Sequence, residues 1–567
     1  MPNKQSPRVV IIGGGIGGLM AGINLRRTHQ YENFTIYERE DDIGGTWKTN
    51  TYPGCASDVE THWFSLSTDL NPNWRKSHVL QPDLLAYWKS LAKKYNLWSR
   101  IVCNTTVLSA EWDDENQLYR VKLQDVRSKE IREDYANIII SATGIFSTPR
   151  YPRIDDIERF KGNSFHSAEW NHDVDLRNKR VAVIGNACSG AQFIPVISED
   201  PTASVVNFCR SPQWVVNTRP PANIGAVKRW IFAHIPFVMR IHRSLIFASQ
   251  ELFYFRYIGA DEKGTTKSKV TNNLSKEMKD LAPEKYRNII IPDFPVGCKR
   301  VVFGTTYLKA LHRLNIEVTY DPVEKIVEDG IVTKKGTKMD KFDVIIFATG
   351  FNTANYPIAI RGRNGLWIQE YYDQKAGPQA YYGTTVPGFP NFFQISGPNT
   401  TTGHGSVIFI QEIQFGWAMQ LISPILKGQV SSFEPKDEAT ERYNKILQSK
   451  LETGVWSTGC SSWYRDSPTS KIHTNFPGSL TKLWWIMREP IWNDFHVVHG
   501  DWWAFRRRAM KVIKTFGVIS IVGIFLLAKI NPGRLEGVLA AVRPQFDDAT
   551  LEQVTSYFRI FQSMFNL

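Results

Sequence analysis

Two glycine-rich segments, each placed between a strand pattern and a helix pattern, constrain the fold of this chain most strongly. They occupy residues 13–18 and 185–190, and each follows a short apolar run typical of a buried strand. A glycine loop between a strand and a helix is the part of a βαβ unit that binds a dinucleotide phosphate. We therefore predict an α/β fold with two Rossmann-like dinucleotide-binding domains, each built on a parallel sheet.

The first glycine segment has the complete context of a dinucleotide site. Gly13 permits a tight turn, Gly15 lets the backbone approach a pyrophosphate, and Gly18 lets helix and strand pack closely. The N-terminus of the following helix supplies N–H donors for the phosphates. Glu38, at the end of the second strand pattern, is expected to accept the ribose hydroxyls.

The second segment departs from the strict pattern at its middle position. Its expected contact residues are Gly185, Ala187, Ser189 and Gly190, with alanine where the pattern usually has glycine. Its second strand ends at Arg210 and lacks the acid that would hold a free 2′-hydroxyl. An arginine at this position suits a 2′-phosphate, so the sequence favours NADPH over NADH.

Composition limits the partners and the compartment. The chain has 567 residues and a formal charge of +13, without a nucleic-acid-binding motif. We therefore expect phosphorylated cofactors and no nucleic acid. The six cysteines are scattered, with no CxxC pair, which predicts neither a disulfide framework nor a metal site. An intracellular, reducing compartment is the expectation that follows.

The changes of pattern along the chain predict four segments. The second dinucleotide-binding domain, for NADPH, would interrupt the first and would itself carry a helical insertion at about residues 222–290. The predicted segments are residues 1–147 (first dinucleotide-binding domain, first part), 148–379 (NADPH-binding domain), 380–495 (first dinucleotide-binding domain, second part) and 496–567 (C-terminal extension).

The C-terminal extension contains an uncharged apolar segment at residues 515–528. As a helix it would be roughly 20 Å long, against a hydrocarbon core of ~30 Å. Snorkelling by Lys514 and Lys529 would extend its reach. Membrane association through this segment and a packed helix of the tail both remain open, and so does the oligomeric state.

A fingerprint between the two glycine segments resembles that of one enzyme family. Phe160, Gly162, His166 and Trp170 have the spacing FxGxxxHxxxW, which is similar to the signature of type I Baeyer–Villiger monooxygenases. These flavoenzymes insert an oxygen atom beside a ketone carbonyl and use FAD and NADPH. The resemblance implies that the four residues lie on a linker and govern closure of the domains. Asn171 departs from the family, which usually has Pro or Asp there.

Two further segments resemble the family's active-site elements. The segment from Gly45 to Asp58 matches the longer fingerprint GxWxxxx(F/Y)PGxxxD, in which Thr46 and Trp47 would contact FAD. The segment at residues 295–300 looks like the loop that carries the active-site arginine. The resemblance implies that Arg300 stabilises the anionic flavin peroxide and its adduct with the ketone.

The same resemblance assigns three supporting roles. Asp58 would orient Arg300 and also contact the cofactor, while Lys299 would contact the nicotinamide nucleotide. Trp463, in a later loop, would hydrogen-bond NADP and help to close the pocket. The resemblance extends over roughly residues 8–494 and implies a ketone and O₂ as substrates. The aromatic content and the apolar tail favour a lipophilic polyketide, terpenoid or steroid of secondary metabolism.

Two other functions remain as alternatives. A flavin monooxygenase that oxidises nitrogen or sulfur would use a protonated hydroperoxide and would depend less on Arg300. A non-catalytic nucleotide-binding redox sensor on a membrane would not need the pair Asp58 and Arg300. A disulfide reductase is disfavoured, because no paired redox cysteines follow the first glycine segment.

Overall fold

The computed structural model describes residues 6–218, 221–259, 265–465, 469, 471–510 and 512. The chain divides into two units, residues 1–498 and 499–567. In the second unit the described residues 501–510 form a helix. The apolar segment at residues 515–528 lies outside the described residues, so its association with a membrane stays a prediction.

The first glycine segment belongs to a five-stranded parallel sheet. All four residues of its central strand, Val9–Ile12, are buried, as expected for a parallel strand covered on both faces. The helix Ile16–His29 follows the glycines and ends at Gln30, which adopts the left-handed conformation. The strands, in spatial order, are Phe392–Gln394, Ile138–Ser141, Val9–Ile12, Phe34–Tyr37 and Ile101–Val102.

The second glycine segment belongs to another five-stranded parallel sheet. Its central strand, Arg180–Ile184, leads through the glycines into the helix Cys188–Ile197. The predicted pair of Rossmann-like sheets is therefore confirmed. The strands, in spatial order, are Ile316–Thr319, Ser204–Phe208, Arg180–Ile184, Val344–Phe347 and Asn163–His166.

A mixed sheet packs against the first nucleotide sheet, and side chains of both sheets form one buried hydrophobic cluster. Three antiparallel strands, Thr105–Asp113, Leu118–Asp125 and Ile131–Ala136, are joined by Ala359–Arg361, which runs parallel to the first of them. A strand of the segment predicted as residues 148–379 thus pairs with a strand of the segment 1–147, and the domain boundaries stay a prediction. Sequence patterns did not mark this pairing, because the strand Ala359–Arg361 has only three residues.

The remaining elements cover the sheets and connect them. Short strands pair antiparallel at Val323–Val327, Gly330–Thr333 and Lys338–Met339, and at Ser432–Pro435 with Phe495–Val498. The longest α-helix among the described residues, Val407–Leu426, packs against Ile16–His29. Within the described part of the first unit, the other α-helices outside the insertion are Thr46–Thr49, Gln81–Lys94, Thr306–Ala310, Ile368–Gln374, Asp437–Glu452 and Leu480–Ile486.

The predicted helical insertion is present. It consists of the α-helices Ala226–His234, Val238–Phe253 and Thr265–Leu281, and a π-helical turn, Tyr254–Ile258, continues the second of them. No single helix in the described part of the chain has both the length and the hydropathy of a membrane span. Ala226–His234 and Val238–Ile258 meet that test only as a pair, and the chain bends by 108° between them.

Candidate active site

The first glycine loop forms a cradle without space for side chains. Gly13 has φ +102°, and a Cβ there would lie 2.7 Å from the carbonyl oxygen of Ala142. A Cβ on Gly18 would lie 1.8 Å from the carbonyl oxygen of Gly13, so only glycine fits at that position. Gly15 faces Gly45, and a Cβ added to Gly15 would lie 3.3 Å from the Cα atom of Gly45. This geometry fits the close approach of a dinucleotide pyrophosphate.

Glu38 is buried beside this cradle, at the end of its strand. Its carboxylate accepts hydrogen bonds from the backbone N–H of Gly14 at 2.6 Å and of Glu40 at 2.9 Å. Burial raises the pKa of Glu38, and the two backbone hydrogen bonds partly offset this rise. A carboxylate has about four lone-pair sites, so acceptor capacity remains for ribose hydroxyls. The predicted FAD-binding role of Glu38 therefore fits the geometry.

The helix that carries Thr46 and Trp47 adjoins the first cradle. The backbone N–H of Gly44 donates to the carbonyl oxygen of Gly14 at 3.0 Å, which fixes the start of the helix Thr46–Thr49 next to the loop. Trp47 is buried and packs edge-on against Phe64. The structure thus brings both predicted residues to the first nucleotide site.

The second glycine loop repeats the same construction. Gly185 has φ +114°, and a Cβ there would lie 2.4 Å from the carbonyl oxygen of Ala348. A Cβ on Gly190 would lie 2.7 Å from the carbonyl oxygen of Gly185. Ala187 precedes the first turn of the helix Cys188–Ile197. Ser189 lies in that turn, so this loop also offers a helix N-terminus to a phosphate.

Basic side chains gather beside the second loop. The Nζ atom of Lys299 donates to the hydroxyl of Ser211 at 2.6 Å, next to the exposed Arg210. The side-chain amide of Asn186 donates to the carbonyl oxygen of Ser211 at 3.0 Å and so ties this segment to the glycine loop. Burial, together with the charge of Arg210, lowers the pKa of Lys299 to about 8. Two cations and a hydroxyl fit a 2′-phosphate.

The fingerprint that ends at Asp58 forms the junction between the two nucleotide sites. Gly54 has φ +80°, and a Cβ there would lie 2.9 Å from the carbonyl oxygen of Gln192, in the helix Cys188–Ile197. The phenol of Tyr52 donates to Oε1 of Gln192 at 2.9 Å, and Nε2 of Gln192 donates to the carbonyl oxygen of Ala56 at 3.1 Å. These contacts hold the Asp58 loop against the second glycine helix.

Arg300 lies at this junction and is paired with Asp58. Its Nη2 atom is 2.5 Å from Oδ2 of Asp58, and its Nη1 atom donates to the carbonyl oxygen of Gly403 at 2.5 Å. The guanidinium lies over the ring of Phe303, 5.0 Å from the centroid. The side chains of Arg300 and Asp58 are 21% and 27% exposed, so the pair is shielded but reachable. The two side chains predicted to act together are therefore in contact, and their catalytic role stays a prediction.

The electrostatics keep Arg300 cationic. Burial lowers the pKa of Arg300, but the carboxylate of Asp58 outweighs this effect and the pKa is raised. The thiol of Cys188, at the start of the second glycine helix, lies beside the guanidinium. Burial raises the pKa of Cys188 to about 11, and the charge of Arg300 opposes that rise. Arg300 thus places a permanent positive charge between the two nucleotide sites.

A two-residue strand pairing and a side-chain hydrogen bond hold the loop of Arg300 in place. Its strand Val302–Phe303 pairs with Val215–Val216, directly after the segment of Arg210 and Ser211. The indole N–H of Trp214 donates to the carbonyl oxygen of Phe294 at 2.7 Å. Arg300 and the 2′-phosphate cluster are therefore positioned by one structural unit.

A disulfide corrects one expectation from the sequence. Cys298 and Cys460 are bonded, with Cα atoms 6.2 Å apart and a sequence separation of 162 residues. The prediction of no disulfide was wrong, because only the folded chain brings these cysteines together. The bond joins the loop of Arg300 to the segment that leads to Trp463. The other cysteines, Cys55, Cys103, Cys188 and Cys209, are free.

The fingerprint of Phe160, Gly162, His166 and Trp170 is not a simple linker. Residues Asn163–His166 form the edge strand of the second sheet and pair with Val344–Phe347. The sequence did not predict this strand, because its pattern mixes polar and aromatic residues. Phe160 lies in the core of that domain, and a Cβ on Gly162 would lie 2.5 Å from the carbonyl oxygen of Asp343.

His166 and Trp170 pack inside this region. His166 is fully buried, and its Nδ1 atom accepts a hydrogen bond from the N–H of Ala168 at 3.1 Å. Trp170 packs edge-on against Phe193, in the second glycine helix. Their role in domain closure stays a prediction.

Trp463 packs against the buried cluster that contains Cys298. It packs edge-on against Phe146 and contacts Tyr464, and its carbonyl oxygen accepts a hydrogen bond from Thr353 at 3.2 Å. The structure places these three partners around it, and its predicted contact with NADP stays a prediction.

Sequence reasoning missed one polar pair behind Arg300. Glu251, in the helical insertion, has its Oε1 atom 3.5 Å from Nε2 of His404, which follows the Gly403 that binds Arg300. Burial raises the pKa of Glu251, but hydrogen bonds from His404, Thr481 and Leu480 outweigh this effect and lower the pKa to about 2. The available signal was that Glu251 is the single acid within residues 226–259.

Comparisons with known proteins agree with this site. The family model described as flavin-binding monooxygenase-like matches residues 6–222. A Baeyer–Villiger monooxygenase of Pseudomonas aeruginosa is 36% identical over 495 residues, which cover 86% of this chain and 91% of that protein. The FAD-binding monooxygenase ktnD of Aspergillus niger is 32% identical over 538 residues, covering 91% of this chain and 86% of that protein.

Solved structures share the fold. An oxidised steroid monooxygenase bound to NADP has a TM-score of 0.73 at 24% identity, covering 88% of this chain and 100% of that chain. The closed structure of cyclohexanone monooxygenase has a TM-score of 0.75 at 23% identity, covering 87% and 99%. The identity to the Pseudomonas protein, over nearly the whole of both chains, decides the family. The chain therefore belongs to the Baeyer–Villiger monooxygenase family, whose members are flavin enzymes that use FAD and NADPH.

Proposed function

We propose that this protein inserts one oxygen atom of O₂ beside the carbonyl of a lipophilic ketone and releases an ester or a lactone. FAD, reduced by NADPH, would supply the activated oxygen. The observation that carries the proposal is the shielded pair of Arg300 and Asp58 between two dinucleotide cradles. A fixed cation at that junction is what the insertion requires, because negative charge develops on oxygen during the reaction.

Each part of the site would have a separate role in the reaction. The first cradle and Glu38 would bind FAD, and the second cradle with Arg210 and Lys299 would bind NADPH. Arg300 would stabilise developing negative charge on the carbonyl oxygen of the ketone. Asp58 is a positioning residue, because it contacts the guanidinium and holds it toward the junction. Partial burial of the pair keeps water from weakening this interaction.

A lipophilic substrate is supported by the surroundings of Arg300. Phe303 lies under the guanidinium, and Phe253 contacts Phe303 with ring centroids 5.5 Å apart. Tyr254 and Tyr257 belong to the apolar cluster around Cys298 and Ile258. Such walls favour an apolar ketone of the polyketide, terpenoid or steroid class. We propose a role in secondary metabolism on the same ground, and an intracellular location because cells supply NADPH there.

Product analysis with paired substrates tests the reaction class. Purified yellow protein is given NADPH with a panel of cyclic ketones, and separately with thioethers of similar size. We expect faster NADPH oxidation with the apolar ketones and products one oxygen atom heavier that are esters or lactones. Sulfoxides without any ester would instead support the alternative of a nitrogen- or sulfur-oxidising enzyme. Preference for small polar ketones would contradict the lipophilic substrate.

A conservative variant tests the positioning role of Asp58. Asp58→Asn keeps the shape of the side chain but removes the charge that faces Arg300. We expect an unchanged flavin content and at least about a tenfold lower rate of ketone oxygenation, since a charge-assisted hydrogen bond becomes a neutral one. Asp58→Glu restores the charge and is expected to recover part of the rate. Equal rates for wild type and Asp58→Asn would contradict the role.

A further inference from the structure

The helical insertion exposes an apolar surface that the oxygenation chemistry does not use. Two of its helices, Ala226–His234 and Val238–Phe253, together with Phe237 between them and the following π-helical turn, carry seven large apolar side chains that are between 58% and 74% exposed. We call these residues the apolar stripe. Its three aromatic members, which are on average about two thirds exposed, alone present about 400 Å² if each side chain has ~200 Å² of surface. The stripe consists of Val227, Trp230, Phe237, Ile241, Leu245, Leu252 and Phe255.

Five members of the stripe have the spacing of a single helix face. Phe237, Ile241, Leu245, Leu252 and Phe255 follow one another at intervals of three, four or seven residues. Those intervals bring side chains to the same side of an α-helix. An apolar patch of this size on an exposed helix face marks a site of interaction with another surface.

The opposite face of the same helix is anchored on the protein. Arg243 donates to the carbonyl oxygen of Ser65 at 3.0 Å and lies over the ring of Trp63. The indole N–H of Trp63 donates to Gln250 at 2.8 Å. Glu251 accepts the backbone N–H of Leu480 at 2.8 Å. The helix therefore packs on the protein through these polar contacts and through Ile246 and Phe247, while the apolar stripe lies on its outer side.

Charges around the stripe indicate what it contacts. Residues 226–259 contain five basic residues and one acid. Three of the basic residues, Lys228, Arg240 and Arg256, are exposed, whereas the acid, Glu251, is buried. Exposed Trp, Phe and Leu next to Lys and Arg are typical of helices that lie in the interface of an anionic bilayer. A protein partner would not require this excess of positive charge.

We propose that the apolar stripe binds to an anionic phospholipid surface, with its helices lying in the plane of the interface. The side chains of the stripe would enter the boundary between headgroups and acyl chains, and the exposed cations would contact lipid phosphates. The proposal of lipid binding is based on the residues of the stripe and does not depend on which ketone is oxidised.

The same helix connects the surface to the active site. Tyr254 packs against the ring of His404, with centroids 4.9 Å apart, and the adjacent Gly403 accepts a hydrogen bond from Arg300. Ile258 lies in the buried cluster with Cys298. Docking on a membrane would therefore place the lipid interface one helix away from Arg300. An apolar ketone dissolved in the bilayer would have a short route to the pocket, which deepens the proposed function.

Vesicle binding tests the proposal. The full-length holoenzyme is sedimented with phosphatidylcholine vesicles, with and without about 30% phosphatidylserine, at about 0.1 M salt. We expect strong binding to the anionic vesicles. The double variant Leu245→Asp with Leu252→Asp is expected to bind at least about tenfold more weakly, because binding scales with buried apolar area. Arg240→Glu with Arg256→Glu is expected to lose the preference for phosphatidylserine.

A matched control separates the stripe from general surface effects. Leu314 is 105% exposed outside the insertion, so Leu314→Asp makes the same chemical change elsewhere. We expect this variant to bind vesicles as the wild type does. All variants are expected to keep their flavin absorbance and their NADPH oxidation with a soluble ketone, which tests the proposed reaction separately. If the wild type showed no ketone-dependent oxidation of NADPH, the proposed reaction would be refuted, but the result on vesicle binding would remain valid.

Two outcomes would overturn the proposal. Equal vesicle binding by the wild type and the Leu245/Leu252 double variant would place the lipid contact elsewhere in the chain. A wild-type dimer in sedimentation velocity that the double variant converts to a monomer, without vesicle binding, would show that the stripe joins two copies of this chain.

Discussion

The lowered pKa of Lys299 leads to a pH dependence of NADP binding. Burial and the charge of Arg210 lower the pKa of Lys299 to about 8 in the free protein. A bound 2′-phosphate beside Ser211 would favour the charged form and raise this pKa again. We therefore expect binding of NADP to be coupled to protonation of Lys299. The affinity should be highest below pH 8, where Lys299 is already charged, and should fall as the pH rises above 8.

The magnitude follows from the two pKa values. If the bound phosphate restores the ordinary value of 10.5, each pH unit between the two values weakens binding by a factor approaching ten. From pH 7 to pH 9.5 the dissociation constant of NADP⁺ is expected to rise about 30-fold. NAD⁺ lacks the 2′-phosphate and is expected to show almost none of this change.

Titration of protein fluorescence with NADP⁺ at a series of pH values measures the effect without turnover. Lys299→Arg keeps a cation that does not titrate in this range, so its dissociation constant is expected to stay level from pH 7 to pH 9.5. Lys299→Met is expected to bind NADP⁺ weakly at every pH. A wild-type dissociation constant that stays constant, or a Lys299→Arg variant with the full slope, would refute the reasoning.

Two stability predictions follow from the loops. Gly18→Ala is expected to abolish flavin binding or folding, because the added Cβ would lie 1.8 Å from a carbonyl oxygen. Gly416→Ala is the control: its Cβ would meet no atom within 4 Å, so the flavin absorbance and the Tm should stay nearly unchanged. Comparable loss in both variants would contradict the clash. Cys460→Ser removes the disulfide, which joins residues separated by 162 positions. The entropy of closing a loop of that length contributes about 5 kcal/mol to the free energy of unfolding. We expect a clearly lower Tm, unlike in Cys103→Ser; equal Tm values would mean that the bond contributes nothing.

The nucleotide-binding architecture could be predicted because its signals are local. The strand at Val9–Ile12, the glycines after it and Glu38 are close in sequence, and each has a fixed geometric purpose. The same holds for Arg180–Ile184 and its glycine loop. The pairing of Asp58 with Arg300 spans 242 residues, and it was expected only because both segments resemble a known family.

Features that depend on the folded arrangement could not be predicted. The bond between Cys298 and Cys460 has no local signal, because each cysteine stands alone in its segment. The strand Asn163–His166 takes its register from Val344–Phe347, across the sheet, and not from its own pattern. The sequence predicted the insertion as helical, but which face of Val238–Phe253 points outward depends on the contacts of Arg243 and Glu251.

The central claim is that Arg300 enables oxygen insertion at a ketone. The most direct measurement compares wild type and Arg300→Ala in ¹⁸O₂, with mass spectrometry of the products and absorbance of the flavin during NADPH addition. We predict that the wild type releases an ester with one ¹⁸O atom. The variant should bind FAD and be reduced by NADPH, yet release almost no ester. A full yield of labelled ester from Arg300→Ala would contradict the account.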